Sequence, residues 1–189
     1  MQYRDVAYLD LEYELNNKTF RFSPFGSIVF GNGVVSEIGV HVKKINATKV
    51  LVTTDQGIVE AGLLSKLLEP LSAENIDYTV FDEIEPNPSI ETVNKAAELG
   101  KDCQLVIGFG GGSSIDVAKA VAILVTNGGN IEQYEGINNV KKPLLPIIAV
   151  PTTAGTGAEA TPFAVITDTK NQWKMAINCQ RCKSPQKYH

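Results

Sequence analysis

LVIGFGGGSSIDVAKAV, residues 105–121, is an apolar run that stops at a cluster of glycines and restarts with helical periodicity. It reads as a strand, a tight turn and a helix. Gly108, Gly110, Gly111 and Gly112 leave the backbone free to take φ > 0 and let another molecule approach without meeting a Cβ. Ser113 and Asp116 have the S-x-x-D spacing of a helix start, and Val117, Ala118 and Val121 follow on its inward side. A glycine turn feeding a helix N-terminus presents unpaired N–H groups and the positive end of the helix dipole to whatever lies above it, and a phosphate suits both. The turn is not a P-loop, because no Lys-Ser or Lys-Thr follows the last glycine at the required spacing. Nor is it G-x-G-x-x-G, since counting from Gly108 or Gly110 the third glycine position falls on Ser113 or Ile115. Taken alone it is either a phosphate site or a tight structural turn.

The same alternation of strand and helix recurs on both sides of this stretch. After a Gly31-Asn32-Gly33 loop, Val35, Ile38, Val42 and Ile45 recur at helical spacing. Residues 49–54 (KVLVTT) are a β-rich run ending at Asp55. Gly57 opens a helix through Ile58, Ala61, Leu64, Leu68 and Leu71 that Pro70 is expected to kink or split. Residues 78–81 form another strand, Glu85-Pro86-Asn87-Pro88 breaks the chain, and Ser89 caps a helix with Ile90, Val93, Ala96 and Ala97 inward.

Beyond an irregular, polar stretch at 127–146, residues 146–151 (PIIAVP) read as a strand, and 152–159 (TTAGTGAE) as a second glycine turn, dense in hydroxyls. Residues 164–168 and 172–177 close the pattern as a hairpin around Thr169-Lys170-Asn171. Apolar strands separated by helices predict an α/β fold, a mostly parallel sheet with helices on both faces, whose ligands gather at the carboxyl ends of the strands. Alternation within residues 6–30 adds an edge hairpin at the N-terminus. Residues 178–189 (NCQRCKSPQKYH) have neither apolar periodicity nor an acid. The expected organisation is one domain over 1–177 and a disordered or irregular tail over 178–189.

Composition narrows the partners. With 189 residues, 43% of them hydrophobic, the chain can bury a real core, and its net charge of -4 argues against a nucleic-acid surface. Acids within the first ten residues argue against a signal peptide, and no apolar run approaches membrane-spanning length. Three cysteines, Cys103, Cys179 and Cys182, make no disulfide framework and suit a reducing cytoplasm. Cys179 and Cys182 form a lone C-x-x-C, a weak zinc signal against an incidental pair, and the two histidines, His41 and His189, give no metal-ligand spacing.

GGGSSIDVAKAV at 110–121 and PIIAVPTTAGTGAEATPFAVITD at 146–168, in this order and with LVTTD and EPNPSIETV upstream, resemble the iron-containing (group III) alcohol dehydrogenases. The resemblance covers 25–177. It implies a dinucleotide-binding domain similar to that of glycerol dehydrogenases and dehydroquinate synthase, which in the family precedes a helical domain carrying the catalytic metal. It further implies that Gly110, Gly111, Gly112 and Ser113 cradle the cofactor pyrophosphate and that Asp116 lies near the nicotinamide ribose or the substrate. By the same likeness Thr152, Thr153, Thr156 and Thr161 line the adenine and ribose side of the cleft, and Asn87 and Lys174 complete the cofactor shell. Asp55, at the tip of the first sheet strand, would accept from the adenosine ribose hydroxyls and favour NAD over NADP, although a plain helix cap is the alternative.

The implied activity is hydride transfer between NAD and an alcohol or polyol, with an alcohol or aldehyde as partner and no nucleic acid or membrane. The family's iron or zinc is expected, but its ligands are absent from this sequence, whose polar ending departs from the family pattern and points to truncation or an altered carboxyl terminus. An apolar face left uncovered would favour a homo-oligomer. The alternative reading is a nucleotide-binding module without turnover.

Overall fold

The computed structural model describes residues 27–179. What the sequence predicts for residues 1–26 and for 180–189, most of the N-terminal hairpin and the tail with Cys182 and His189, lies outside them.

Four strands form a parallel sheet in the order β2-β1-β3-β4: β1 (Lys49–Thr53), β2 (Asp77–Phe81), β3 (Leu105–Gly110) and β4 (Ile147–Pro151). β5 (Phe163–Asp168) and β6 (Trp173–Asn178) make a separate antiparallel hairpin. The helices are α1 (Ile38–Lys44), α2 (Gln56–Glu60), α3 (Leu64–Ala73), α4 (Ile90–Leu99) and α5 (Gly112–Asn127).

Strand period assigns side chains to the two faces. Val50, Val52, Leu105, Ile107 and Phe109 pack with Ile38, Val42, Ile58, Leu67 and Leu71, so α1, α2 and α3 cover one face. Leu51 and Val106 pack with Val93, Ala96, Val117 and Val121, so α4 and α5 cover the other. β3 is buried along its whole length, as a central strand covered on both sides must be. Each fully buried Val, Leu or Ile on these faces contributes about 1.5–3 kcal/mol relative to exposure. Gly108 sets how closely α5 approaches β3, because a Cβ there would lie 2.9 Å from the Ile115 Cα and 3.0 Å from the Ala118 Cβ.

The predicted helix after Asp55 is split, but at Gly62 and not at Pro70. Gly62 takes φ +67, its N–H donates to the Val59 carbonyl at 2.9 Å, and the Leu63 N–H donates to the Ile58 carbonyl at 3.2 Å. That pair of bonds is the Schellman ending of α2, which a left-handed glycine permits. Pro70 sits inside α3. The carbonyl it leaves without a helical donor belongs to exposed Lys66, where water is an alternative partner.

The hairpin turn is held by Asp168. Its Oδ1 accepts from the Lys170 and Asn171 N–H groups at 3.0 and 3.1 Å, and its Oδ2 from the Asn171 amide at 2.6 Å. β5 is stapled to the Glu85–Ser89 turn, with the Thr167 N–H donating to the Pro88 carbonyl at 2.8 Å. Ala164, Ile166, Met175 and Ile177 face the core, leaving Phe163 and Val165 on the open side.

Candidate nucleotide-binding site

From β1 the chain runs outward to β2 and then returns to β3 on the other side of β1. The direction of winding therefore reverses between β1 and β3, and the crevice at their carboxyl ends is where an open α/β sheet receives a ligand. Asp55 follows β1, and Gly110 to Gly112 run from the last residue of β3 into α5, so both predicted elements meet at this crevice.

Asp55 is the N-cap of α2, its Oδ1 accepting from the Ile58 N–H at 3.1 Å, while its Oδ2 accepts from the Ser114 hydroxyl at 3.2 Å. The cap is therefore real, and the same carboxylate stands beside the glycine turn. Gly110 has φ +149, and a Cβ there would lie 2.5 Å from the Ser114 Oγ and 3.0 Å from the Asp55 Oδ2. Positive φ is confined to Gly110 within this turn: Gly111 is extended, with φ -77 and ψ -170, and Gly112 is the first helical residue. The helix start also differs from the S-x-x-D reading. Gly111 occupies the N-cap without a side-chain cap, which puts Ser113 inside the first turn and leaves the opening N–H groups of α5 without a capping side chain. α5 is long and its dipole points at the crevice.

The second turn folds against the first. The Thr152 N–H donates to the Gly110 carbonyl at 2.9 Å, extending the β3–β4 ladder by one step. A Cβ on Gly111 would meet the Thr153 Oγ1 at 3.4 Å, and one on Gly112 would meet the Thr156 Cβ at 3.4 Å. Thr152, Thr153 and Thr156 are exposed and rim the first turn, whereas Thr161 is further along the loop, its N–H donating to the Gly157 carbonyl at 3.0 Å.

Asn87 and Lys174, far apart in sequence, are brought together. Asn87 takes φ 56, and its Oδ1 accepts from the Lys174 ammonium at 2.7 Å. The turn carrying Asn87 is braced by Glu85, which accepts from the Ser89 N–H at 2.8 Å and from the Thr92 hydroxyl at 2.7 and 2.8 Å. Partial burial pushes the Glu85 carboxyl up, but bonds from Thr92, its own backbone and Ser89 outweigh this and hold it below the usual 4.5. Because the folded value is depressed, the contribution is present above the unfolded value and is lost as pH falls through the folded one. The melting-temperature advantage of the native chain over Glu85→Gln is expected to be full at neutral pH and to fade below 4.5. Melts of both proteins from pH 7 to 3 check this, and a constant gap would refute it.

Three site residues escaped the sequence reading. Ser114 and Glu85 are known only from their bonds. Lys119 did carry a signal, a lone cation inside the apolar run IDVAKAVAIL, which a buried and partnered lysine explains. Its ammonium donates to the Ala158 and Phe163 carbonyls, both at 2.6 Å, and lies 3.4 Å from the Asp116 Oδ1. The Asp116 Oδ2 accepts from the Val165 N–H at 3.1 Å. Burial pushes the Asp116 carboxyl up, and the Lys119 charge and the Val165 N–H offset only part of that.

His41 lies on α1, its imidazole 3.9 Å from the Glu37 carboxylate. Among the described residues no three His, Cys, Asp or Glu side chains gather into a group able to hold a metal ion, so residues 27–179 do not fit the iron or zinc of the resemblance. No described helix is long and apolar enough to cross a membrane.

A parallel sheet with helices on both faces, and two glycine turns meeting at its switch point, defines an α/β domain of the nucleotide-binding type. The chain belongs to the iron-containing alcohol dehydrogenase family, whose model matches residues 26–186. It is 38% identical over 158 residues to an NAD-dependent methanol dehydrogenase of Bacillus methanolicus, covering 82% of this chain and 41% of that protein. It is 41% identical over 151 residues to alcohol dehydrogenase 4 of Schizosaccharomyces pombe, covering 79% and 36%. The crystal structure of a 1,3-propanediol oxidoreductase superposes with a TM-score of 0.82 at 33% identity, over 87% of this chain and 44% of that one. A sulfoacetaldehyde reductase from Bifidobacterium kashiwanohense, solved in complex with NAD+, superposes at 0.76 with 31% identity, covering 87% of this chain and 44% of that chain. The chain thus spans about two fifths of the curated relatives it matches.

Proposed function

We propose that this chain is the dinucleotide-binding unit of an NAD-dependent alcohol dehydrogenase. The observation that carries the reading is the meeting of Asp55, the Gly110–Gly112 turn and the Thr152–Thr156 turn at the switch point of the sheet. In this reading the N–H groups of the first turn and Ser113 hold the pyrophosphate, using the helix N-terminus as an anion site. Asp55 accepts from the adenosine ribose, and its charge disfavours the additional phosphate of NADP. Thr152, Thr153, Thr156 and Thr161 line the cleft with short hydroxyls. Asn87 and Lys174 complete the shell, and Asp116 lies on the nicotinamide side.

NAD, when bound, supplies the hydride acceptor for an alcohol or the donor, as NADH, for an aldehyde. The domain runs over 1–177 with a tail over 178–189, and the protein works in the cytoplasm on small alcohols or aldehydes, as a homo-oligomer if its open apolar side is paired. A second reading, a nucleotide-binding module without turnover, is favoured by the lack of a metal-ligand group among the described residues.

Fluorescence titration with NADH tests the first reading, and saturable binding is expected. No binding at millimolar NADH would overturn it. Alcohol oxidation assayed with added iron or zinc separates the two readings. Gly111→Val should weaken NADH binding several-fold while leaving the melting temperature near that of the native chain. At φ -77 the backbone accepts a side chain, but the branched Cβ stands 3.4 Å from the Thr153 hydroxyl and covers the helix N–H groups. An unchanged dissociation constant would remove the pyrophosphate from this turn. Lys174→Met should weaken NADH binding in the same assay, by the loss of a cation near the diphosphate.

A further inference from the structure

Lys119 is only 6% exposed, and among the described residues it is the only charged side chain in the buried class. A buried ammonium is tolerated only when its donors are satisfied. It has three donors and three acceptors: the carbonyls of Ala158 and Phe163 and the Oδ1 of Asp116. Asp116 adds a third backbone point by accepting from the Val165 N–H. Two of these points, Phe163 and Val165, open β5, and the third, Ala158, lies in the preceding loop, 152–162, which has no helix or strand of its own beyond the short internal bonds of Ala160 and Thr161 to the Gly157 carbonyl. This loop nevertheless packs onto the first turn, with the Thr156 and Ala158 Cβ atoms 3.4 and 3.8 Å from where a Gly112 Cβ would stand.

We propose that Lys119, acting with Asp116, is a positioning residue that ties the 157–165 segment to α5 and thereby holds the hydroxyl-bearing second turn against Gly111 and Gly112. Lys119 meets the proposed cofactor shell only through its bond to Asp116. Its effect on binding is transmitted through the loop, and this consequence rests on the NAD reading above, whereas the tie itself does not. The core under α5 is built from apolar contacts of Val117, Val121 and Ile123, all fully buried, and not from the bonds of the ammonium. Removal of the charge should therefore release the loop before it melts the domain. Asp116 serves the tie with both oxygens, Oδ1 toward the Lys119 ammonium and Oδ2 toward the Val165 N–H.

The test uses the full chain with Lys119→Met, similar in length and apolar, and Asp116→Asn, which keeps an acceptor for the Val165 N–H. Amide hydrogen exchange is followed along the chain, and NADH affinity by fluorescence. For Lys119→Met, exchange across 157–165 is expected to accelerate by about tenfold or more while β1 and β3 stay near native rates, and NADH affinity to fall by about tenfold. Asp116→Asn should move both in the same direction by less. Native exchange at 157–165, or equal acceleration everywhere, overturns the tie. A loosened loop with unchanged NADH affinity overturns the positioning role. If Lys119→Met yields no folded protein, Asp116→Asn decides the tie by exchange, and Lys119→Gln, which keeps a donor but loses the charge, decides the positioning role by NADH affinity. If the native chain binds no NADH, the cofactor reading fails, and the exchange pattern alone still judges the tie.

Discussion

Gly110→Ala is expected to abolish NADH binding and to lower stability by about 2–5 kcal/mol, combining left-handed backbone strain with overpacking. The backbone there has φ +149, and the added methyl would lie 2.5 Å from the Ser114 Oγ, 2.9 Å from its Cβ and 3.0 Å from the Asp55 Oδ2. None of these neighbours can retreat easily. Ser114 is fully buried and on α5, and Asp55 is fixed by its bond to the Ile58 N–H. Relief must come from moving the turn, which is where the pyrophosphate is proposed to sit. Thermal melting and NADH titration check both parts. A variant with native melting temperature and native affinity would show that this turn tolerates a side chain and would sink the cradle. Gly111→Val, a larger residue one position on, should cost far less stability, because there φ is -77 and the nearest contact of a Cβ is 3.4 Å away.

Asp55→Asn is expected to raise affinity for NADPH relative to NADH by about tenfold, equivalent to about 1.4 kcal/mol. Asparagine keeps an oxygen to cap α2 and turns its NH2 toward the Ser114 hydroxyl, donating where the carboxylate accepted, so the fold should survive while the charge is lost. Asp55→Ala removes the cap as well and should cost about 1 kcal/mol of stability in addition. Comparing the two variants separates the residue's two uses. If the cofactor ratio moves in neither, Asp55 serves the fold alone, capping α2 and holding the Ser114 hydroxyl.

How much of this was legible beforehand depended on whether the signal was local. β1 to β4, the Ser89 cap and the β5–β6 hairpin follow from apolar runs, caps and turn residues whose preferences act within a few positions, and the structure reproduces them. The split after Asp55 was legible too, but its position was misjudged. Pro70 removes one donor that an exposed carbonyl can spare, whereas Gly62 alone could take φ +67 and close the Schellman bonds. The helix start at 112 was misread because S-x-x-D is a spacing. Whether Ser113 caps depends on where the strand lets the chain turn, and the extended Gly111 turned it earlier.

The sequence by itself determined the class of fold, through continuous apolar strands set between helices, and it marked the two glycine turns as places where backbone could be approached. Only the tertiary structure decided what those turns face. Asp55 and Ser114 are 59 residues apart, Asn87 and Lys174 87 apart, Lys119 and Phe163 44 apart, and each pair is joined by a side-chain bond that no local preference encodes. The reason is physical: a polar side chain chooses its partner from whatever the packed sheet and helices bring within about 3 Å, and that neighbourhood exists only after β1, β3 and the hairpin have been laid side by side. Lys119 shows the limit most plainly. A lysine within an apolar helix signals a buried charge that must be satisfied, but which loop satisfies it was settled by the fold.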